Sequence, residues 1–516
     1  MTIPAPHLSA RNSELAMVSA VVIVVSLILW WRFLPIPVGD LGSYTEPGIL
    51  LAQFGKLAGP ASQYIDLTYQ KGMYNYPPGH FLILGGWIKL FGFSDNSLLA
   101  YTHVVHAGIL ILLWAILRFR YECSKLISSL VLVSIFPRIP HGRPDLPACF
   151  LSVAAWLALP EDDNWNRILL SGCLAGATLL VSPGYGVGII AALMVLILMR
   201  AEFSLATRVR TAAIWLVSAG VVFTSISAAV LFSQHSWILA LVQFRDNVKV
   251  RGSQVNVLPD FHLLFTWVFS VIPFVLLAIV PAILVAVTTW RDRSSSLRHV
   301  SLAFLGGAAL WFALNKSQLL LEHHYLFPAK SIFLGLLCSR LRLPLWVRVA
   351  PLLLLSAIGF YFYKSNFLYF ASPLRDQQRK YSAGILPVGE AAVDSVYFAR
   401  FYRPHQTLSY EFIGQNYWSS FLAAIPPQFR VEILSGLPPA PVEPSLLLVS
   451  AHTSWQFGPA SYGHLTCLEP REALQPLRAL GRTWKLPAYP YALTVCTSSA
   501  VSVTAGSVRD SAPVPR

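Results

Sequence analysis

Long apolar stretches separated by short polar connections dominate the first 363 positions of the chain. An apolar run of about twenty residues can cross a hydrocarbon core ~30 Å thick as one helix. The pattern predicts spans over 15–34, 97–117, 126–137, 146–160, 168–182, 184–199, 211–232, 263–290, 299–314, 327–340 and 346–363. The stretch 79–92 is shorter, carries Lys89 and the pair Gly85-Gly86, and reads as an interfacial or re-entrant helix. Residues 46–57 read as an amphipathic helix. Beyond 364 the apolar runs become too short to span, and charge and proline rise. There Phe429–Leu434, Ser445–Ser450 and Tyr491–Cys496 read as strands, and Ser419–Ala424 as part of a helix. The expected architecture is an α-helical polytopic membrane protein with about eleven transmembrane helices over 1–363, a small α/β domain over 364–502 and a disordered tail over 503–516.

Composition sharpens this picture. The chain is 55% hydrophobic and 12% charged, with a mean hydropathy of +0.57, whereas soluble domains carry about a quarter charged residues. A net charge of +14 would suit nucleic acid, but the placement of the basic residues excludes that partner. They gather in the connections, as Arg118/Arg120/Lys125, Arg200/Arg208/Arg210, Arg291/Arg293/Arg298 and Arg340/Arg342/Arg348. Such a distribution orients membrane helices, with the basic connections in the cytoplasm. It places the N-terminus inside and the C-terminal domain outside, as in a bacterial inner membrane, provided 79–92 does not span. One connection breaks the trend: Glu161-Asp162-Asp163, with only Arg167 beside it. The first run passes into Trp30-Trp31-Arg32 without a small-residue cleavage site and reads as an uncleaved anchor.

Several spans are short and meet at Pro/Gly elbows, Pro137-Arg138-Ile139-Pro140 and Ser182-Pro183-Gly184-Tyr185-Gly186. Short helices leave their joints below the membrane surface, where irregular backbone is tolerated only along a protein-walled, wet cavity. An extracytoplasmic recess is therefore expected. The six cysteines show no metal-binding spacing. Cys123, Cys149, Cys173 and Cys338 lie in or beside apolar helices as packing residues, while Cys467 and Cys496 offer one disulfide in an oxidising compartment.

The candidate chemistry lies in the outer connections. Asp40 follows a Pro35-Ile36-Pro37 exit from the first span, close to Tyr44. A carboxylate there can serve as a general base toward an acceptor hydroxyl or amine, or simply cap a helix. Tyr74-Asn75-Tyr76-Pro77-Pro78-Gly79-His80 offers hydroxyls and sugar-stacking rings on a rigid backbone, or an interface anchor. In His141-Gly142-Arg143-Pro144-Asp145, Arg143 can grip a phosphate, and Asp145 can cap the next helix or orient Arg143. In Glu322-His323-His324-Tyr325-Leu326-Phe327-Pro328-Ala329-Lys330, the side chains His324, Tyr325 and Lys330 suit phosphate or sugar contact. Arg245, Lys249 and Arg251 form a rival basic group. Adjacent histidines do not share a helix face, so that pair alone makes no metal site. No Walker A loop, GxGxxG after a strand or GxSxG elbow occurs, so the driving force comes from an activated substrate or a gradient.

Taken together, Asp40 with Gly42 and Tyr44, Tyr76-Pro77-Pro78-Gly79 leading to Phe91-Gly92, Gly142-Arg143-Pro144-Asp145, and His324-Tyr325-Leu326-Phe327-Pro328 resemble the GT-C superfamily of membrane glycosyltransferases. The resemblance covers roughly 15–340 and is nearest to the bacterial branch akin to protein O-mannosyltransferases and the lipid A aminoarabinose transferase. It implies a GT-C-like transferase that moves a sugar, with inversion, from a polyprenyl-phosphate donor to an extracytoplasmic lipid, glycan or protein acceptor. By that resemblance Asp40 is the catalytic base and basic residues of the outer loops hold the lipid-phosphate leaving group; Tyr44, Tyr76, His80, Arg143, Asp145, His324, Tyr325 and Lys330 are the candidate substrate- and donor-binding residues. Many members carry a second acidic residue directly after the base; here that position is Leu41, so no cofactor is called for and a divalent metal gains no support. The alternatives are a transporter or flippase for a lipid-linked glycan, a glycan polymerase or ligase, and a non-catalytic anchor for the outer domain.

Overall fold

Each helix of this chain must satisfy the backbone carbonyls at its C-terminal end and the amides at its N-terminal end, and the two ends of the protein do so differently. The computed structural model describes residues 6–32, 47–48, 51–52, 55, 57, 77–92, 95–136, 144–200, 202–234, 237–238, 240–243, 245, 279–290, 296–314 and 326–363, and strands 407–411, 430–434, 445–450, 465–467 and 493–498. Its helices are α1 (Pro6–Arg32), α2 (Gly79–Phe91), α3 (Asp95–Ala115, prolonged by a π-turn Ile116–Arg120), α4 (Lys125–Ile135), α5 (Asp145–Ala158) and α6 (Trp165–Val181). They continue as α7 (Pro183–Leu198), α8 (Leu205–Ser233), α9 (Val280–Thr288), α10 (Ser296–Leu314), α11 (Phe327–Arg340) and α12 (Leu345–Tyr363).

Among the described residues, a helix stands where the apolar pattern calls for one. The stretch 11–28 in α1, 100–120 in α3 with its π-turn, and all of α8 are long and apolar enough to cross a membrane. Helix α1 begins at Pro6, nine residues before the apolar run, and just ahead of that run Glu14 pairs with Arg118 at 2.9 Å and Lys125 at 3.4 Å. Outward-facing Val21 on α1 and Val217 on α8 are 59% and 63% exposed, as lipid-facing side chains would be. Helix α4 has 11 residues and α5 and α11 have 14 each. At 1.5 Å per residue these rise ~16–21 Å, well short of a ~30 Å hydrocarbon core.

The chain divides into two compact units: Met1–Trp31 with Tyr74–His80 and Tyr101–Asn366, and Arg32–Met73 with Phe81–Ala100 and Phe367–Arg516. In the first, the basic connections share one end. Arg120 donates to the carbonyls of Trp156 and Leu159 at the end of α5, at 2.5 and 2.7 Å, and Arg200 donates to Pro160. Arg167 donates to Leu157 at 3.2 Å, Arg208 to Leu198 at 2.9 Å, Arg298 to Trp290 at 2.9 Å, Arg340 to Tyr121 at 3.0 Å and Arg348 to Ser339 at 3.3 Å. Each guanidinium thus meets carbonyls left open where a helix stops, the polarity that a helix C-terminus favours. The helices that start at this end are capped as well: Ser124, Asn164 and Ser204 accept from the amides of Ile127, Arg167 and Thr207. Burial of Cys123, in the α3–α4 connection, pushes its thiol above the ordinary range despite a hydrogen bond with Ser339.

The interior of this unit is a close-packed apolar cluster with Trp114, Trp156, Trp215, Tyr185, Phe304 and Phe333 fully buried. Helices α6 and α8 approach most closely where α6 carries Gly172 and Gly176, the small-xxx-small spacing that lets membrane helices touch. A Cβ on Gly172 would stand 1.9 Å from Ser218 Oγ, and one on Gly176 would stand 2.2 Å from the Ala219 carbonyl. Beside this seam Trp215 Nε1 donates to Ser171 Oγ at 3.0 Å, and Ser171 donates to the Ala155 carbonyl at 2.8 Å, joining α8, α6 and α5.

In the second unit, residues 47–48 and 51–52 are helical, within the amphipathic helix expected over 46–57. The turn closes at Gly55, whose φ of +66° is one that L side chains rarely adopt and whose N–H donates to Leu51 O at 3.1 Å. Gly85 of α2 lies against it, with space for a Cβ only 3.1 Å from Gly48 O. Trp87 donates to the Ser97 carbonyl at 3.0 Å, which ties α2 to the start of α3. The five described strands, β1 (Thr407–Glu411), β2 (Arg430–Leu434), β3 (Ser445–Ser450), β4 (Leu465–Cys467) and β5 (Leu493–Ser498), form one mixed sheet in the order β2-β1-β3-β5-β4. Strand β1 runs parallel to β2 and β3, and β5 runs antiparallel to β3 and β4. Three strands match the sequence pattern and two, β1 and β4, do not appear in it. The register sets Cys467 directly opposite Cys496, and facing residues of antiparallel strands lie within the Cα spacing a disulfide spans. The expected helix over 419–424, the tail over 503–516 and residues 263–278 of the expected span 263–290 lie outside the described residues.

The glycine seam gives a direct test of the packing. Gly176→Val should lower the stability of the detergent-solubilised protein by about 3 kcal/mol or more, since overpacking a tight contact costs ~1–3 kcal/mol and this one meets rigid backbone. Gly220→Ala, with nothing within 4 Å of its Cβ, should be neutral or stabilise by up to ~1 kcal/mol. Thermal unfolding followed by fluorescence reads both, and equal melting temperatures for Gly176→Val and wild type would contradict the seam.

Candidate active site

The end opposite the arginines is built from helix starts of another kind. Helices α5, α7 and α11 begin there, with Pro144 just before α5 and Pro183 and Pro328 in the first turns of α7 and α11, and none of the three has a side-chain N-cap. Proline suits a first turn because it has no amide proton to satisfy. The remaining first-turn amides keep the positive end of the helix dipole open, an arrangement that attracts anions.

Ser182 shows why no cap forms on α7. It is the single residue between α6 and α7, and its hydroxyl donates to Asp145 Oδ1 at 3.2 Å instead of accepting from an α7 amide. Asp145 is 3% exposed and sits in the first turn of α5, where a carboxylate also favours the helix dipole. One turn further along α5, Cys149 lies within hydrogen-bonding reach of Tyr185 in the first turn of α7. The Pro77-Pro78-Gly79-His80 element joins this cluster from the start of α2. A Cβ on Gly79 would stand 2.8 Å from the Leu180 carbonyl, so glycine allows that close approach, and His80 beside it is buried.

Lys330 lies in the first turn of α11 and is half-buried. A cation in a first turn stands against the helix dipole, a placement that suits a nearby anion. The start of α11 is held at this level by Leu326, which reaches Gly307 of α10, itself packed on the Gly188 carbonyl of α7. Thus the described site residues His80, Asp145 and Lys330 all occur at helix starts of the same unit. Asp40, Tyr44, Tyr76, Arg143, His324 and Tyr325 lie outside the described residues, as do Lys249 and Arg251. Arg245 is described, and is helical and exposed. Asp145 accepts from Ser182, while Arg143, the partner expected from the sequence, lies outside the described residues.

Two residues escaped the sequence reading. His103 and His106 lie three apart on α3, and both are buried. The ring of His106 stacks on Phe136 at the end of α4, with centroids 4.8 Å apart. Both ring nitrogens of His103 lack a hydrogen-bond partner among the described residues. Histidine inside an apolar span is itself the signal that should have drawn attention to them. Among the described residues no group of three or more His, Cys, Asp or Glu is placed to hold a metal ion.

The Asp145–Ser182 link can be separated from the carboxylate charge. Asp145→Ala leaves Ser182 without its acceptor and should cost ~1–3 kcal/mol of stability, while Asp145→Asn keeps an accepting oxygen and should retain most of it. Thermal unfolding of the two purified variants distinguishes them; equal losses would show that charge, not the hydrogen bond, matters at this position.

No family model matches the sequence, and no curated protein matches it. Among solved structures, the chain is similar to ArnT from Cupriavidus metallidurans bound to undecaprenyl phosphate, with TM-score 0.53 and 12% identity over 92% of this chain and 97% of that one. The apo state of the same ArnT gives TM-score 0.54 and 12% identity, covering 94% and 98%. The Archaeoglobus fulgidus oligosaccharyltransferase in complex with Zn and sulfate gives TM-score 0.45 and 14% identity, covering 81% and 62%. What this chain shares with ArnT, nearly end to end, is its fold.

Proposed function

We propose that this protein is an integral-membrane glycosyltransferase that moves a sugar from a polyprenyl-phosphate donor to a lipid, glycan or protein acceptor outside the cytoplasm. The observation that carries this reading is the fold, shared over 92% of the chain with an ArnT structure that is bound to undecaprenyl phosphate. Support comes from the asymmetry between the two ends. One end is closed by arginines and capped helix starts; the other gathers short helices, uncapped helix starts, Asp145, His80 and Lys330. In this reading the arginine-rich end faces the cytoplasm of a bacterial cell, the uncapped end faces out, and about eleven helices span the inner membrane. The chain after 364 then forms an extracytoplasmic α/β domain around the mixed sheet.

The reaction is a direct displacement. Asp40 accepts the proton of the acceptor hydroxyl or amine as that group attacks C1 of the sugar. The bond from C1 to the phosphate oxygen breaks with inversion, and the electron pair leaves with the polyprenyl phosphate. Its charge is met by the open helix starts and by cations, with Arg143, His324 and Lys330 the candidates. Tyr44, Tyr76, Tyr325 and His80 are the candidates for contact with the sugar and acceptor.

Asp40→Asn tests the base. In membranes matched for expression and supplied with a radiolabelled polyprenyl-phosphate sugar, transfer should fall by about 10²-fold or more, with donor binding intact. Transfer within about twofold of wild type would remove Asp40 from the mechanism.

A further inference from the structure

The acidic run Glu161-Asp162-Asp163 is the one connection that departs from the basic pattern of its end, and sugar transfer at the opposite end gives it no role. It borders a cavity of about 400 Å³ lined by Phe119, Arg120, Leu157, Glu161, Asp162 and Arg167, together with Leu159. That volume lies in the ~300–1,000 Å³ range of small-ligand pockets. The cavity opens between the π-turn that ends α3, the end of α5 and the start of α6, all at the arginine-rich end.

Its charges are arranged unusually. Two guanidiniums and two carboxylates line one opening, so the wall sums to zero on a face that is otherwise basic. Arg120 is fixed by its bonds to Trp156 and Leu159, yet its Nε has no hydrogen-bond partner among the described residues and stands 3.5 Å from Glu161. Arg167 donates once, to Leu157, and is otherwise exposed. Neither Asp162 nor Asp163 forms an ion pair among the described residues. An anionic ligand would leave the carboxylates opposed, and a cation would leave the guanidiniums opposed. A ligand with both charges, separated by a few bonds, satisfies all four groups.

The surroundings specify its source. Leu170, one helical turn after Arg167 on the same face of α6, is 53% exposed, and Leu169 beside it is 42% exposed. Apolar side chains therefore continue from the cavity mouth along the helix, as a lipid's acyl chains would. A primary ammonium, with three N–H donors, pairs with two carboxylates better than a quaternary one, which prefers an aromatic cage; Phe119 is the one aromatic side chain in the lining.

We propose that this cavity is a binding site for the phosphoethanolamine headgroup of a membrane phospholipid, its phosphate on Arg120 and Arg167 and its ammonium on Glu161 and Asp162. The site is independent of the sugar-transfer reading.

Native mass spectrometry of the delipidated, full-length protein tests it, with equimolar phosphatidylethanolamine, phosphatidylglycerol and phosphatidylcholine of the same acyl chains. Wild type should retain phosphatidylethanolamine by about fivefold or more over the other two. Glu161→Gln with Asp162→Asn should abolish that preference, and Asp163→Asn, outside the cavity lining, should leave it intact. Arg167→Gln should weaken retention of all three lipids alike, because phosphate is common to them; it also gives an independent reading if the double variant is unstable. Equal retention of the three lipids by wild type, or an unchanged preference in the double variant, would overturn the proposal. So would displacement of the bound lipid by soluble glycerophosphoethanolamine at equal concentration, since the chains would then contribute nothing.

Discussion

Backbone groups left open at helix ends are the constraint on which the rest of this molecule depends. Inside a bilayer they have no water to bond, so each helix end must find a partner in the protein or reach the surface. At one end of the first unit the partners are supplied by side chains from other segments. Arg120 and Arg200 close the end of α5, Arg208 closes α7 and Arg348 closes α11, while Ser124, Asn164 and Ser204 cap the helices that start there. The basic residues of these connections thus have a structural use beyond orientation. A guanidinium reaches several carbonyls through a fixed fork of donors, and its aliphatic stem packs against the helix it came from.

With that end fixed, the other is free to be irregular. Helices of 11 to 14 residues are too short to cross a bilayer, and prolines at the starts of α5, α7 and α11 dispense with one amide each. Ser182 shows the consequence most clearly: by donating to Asp145 it locks α5 to the α6–α7 elbow and leaves the α7 amides uncapped. The same elbow receives Gly79 against Leu180. A buried polar cluster is thereby held in place by tight packing.

Much of this architecture could be read from apolar run length alone, since a membrane helix needs little else to declare itself. Strands β2, β3 and β5 were legible for a similar reason, being short, branched and apolar. The missed features depend on contacts distant in sequence. Gly172 and Gly176 look like ordinary helix residues until α8 lies on them, and Asp145 finds Ser182 across 37 positions. The early start of α1 is invisible in hydropathy because its first two turns are largely polar, and the Glu14–Arg118 ion pair lies just ahead of the apolar run. Strand β4, with 3 residues, is too short to show an alternation. At the candidate site, the residue types at helix starts were legible, but the direction of each bond was not. For Asp145 the sequence favoured an internal pair with Arg143, and the bond it accepts from Ser182 was not legible in it.

The central claim is that the open end carries out chemistry on a lipid-linked sugar and does not merely move one. The most direct measurement reconstitutes the purified protein in vesicles with a polyprenyl phosphate carrying a radiolabelled sugar, and follows both halves of the donor. Transfer requires that label leave the donor while free polyprenyl phosphate accumulates in equal amount. Donor that crosses the bilayer with its sugar still attached, and no polyprenyl phosphate released, would contradict transfer and establish a flippase in its place.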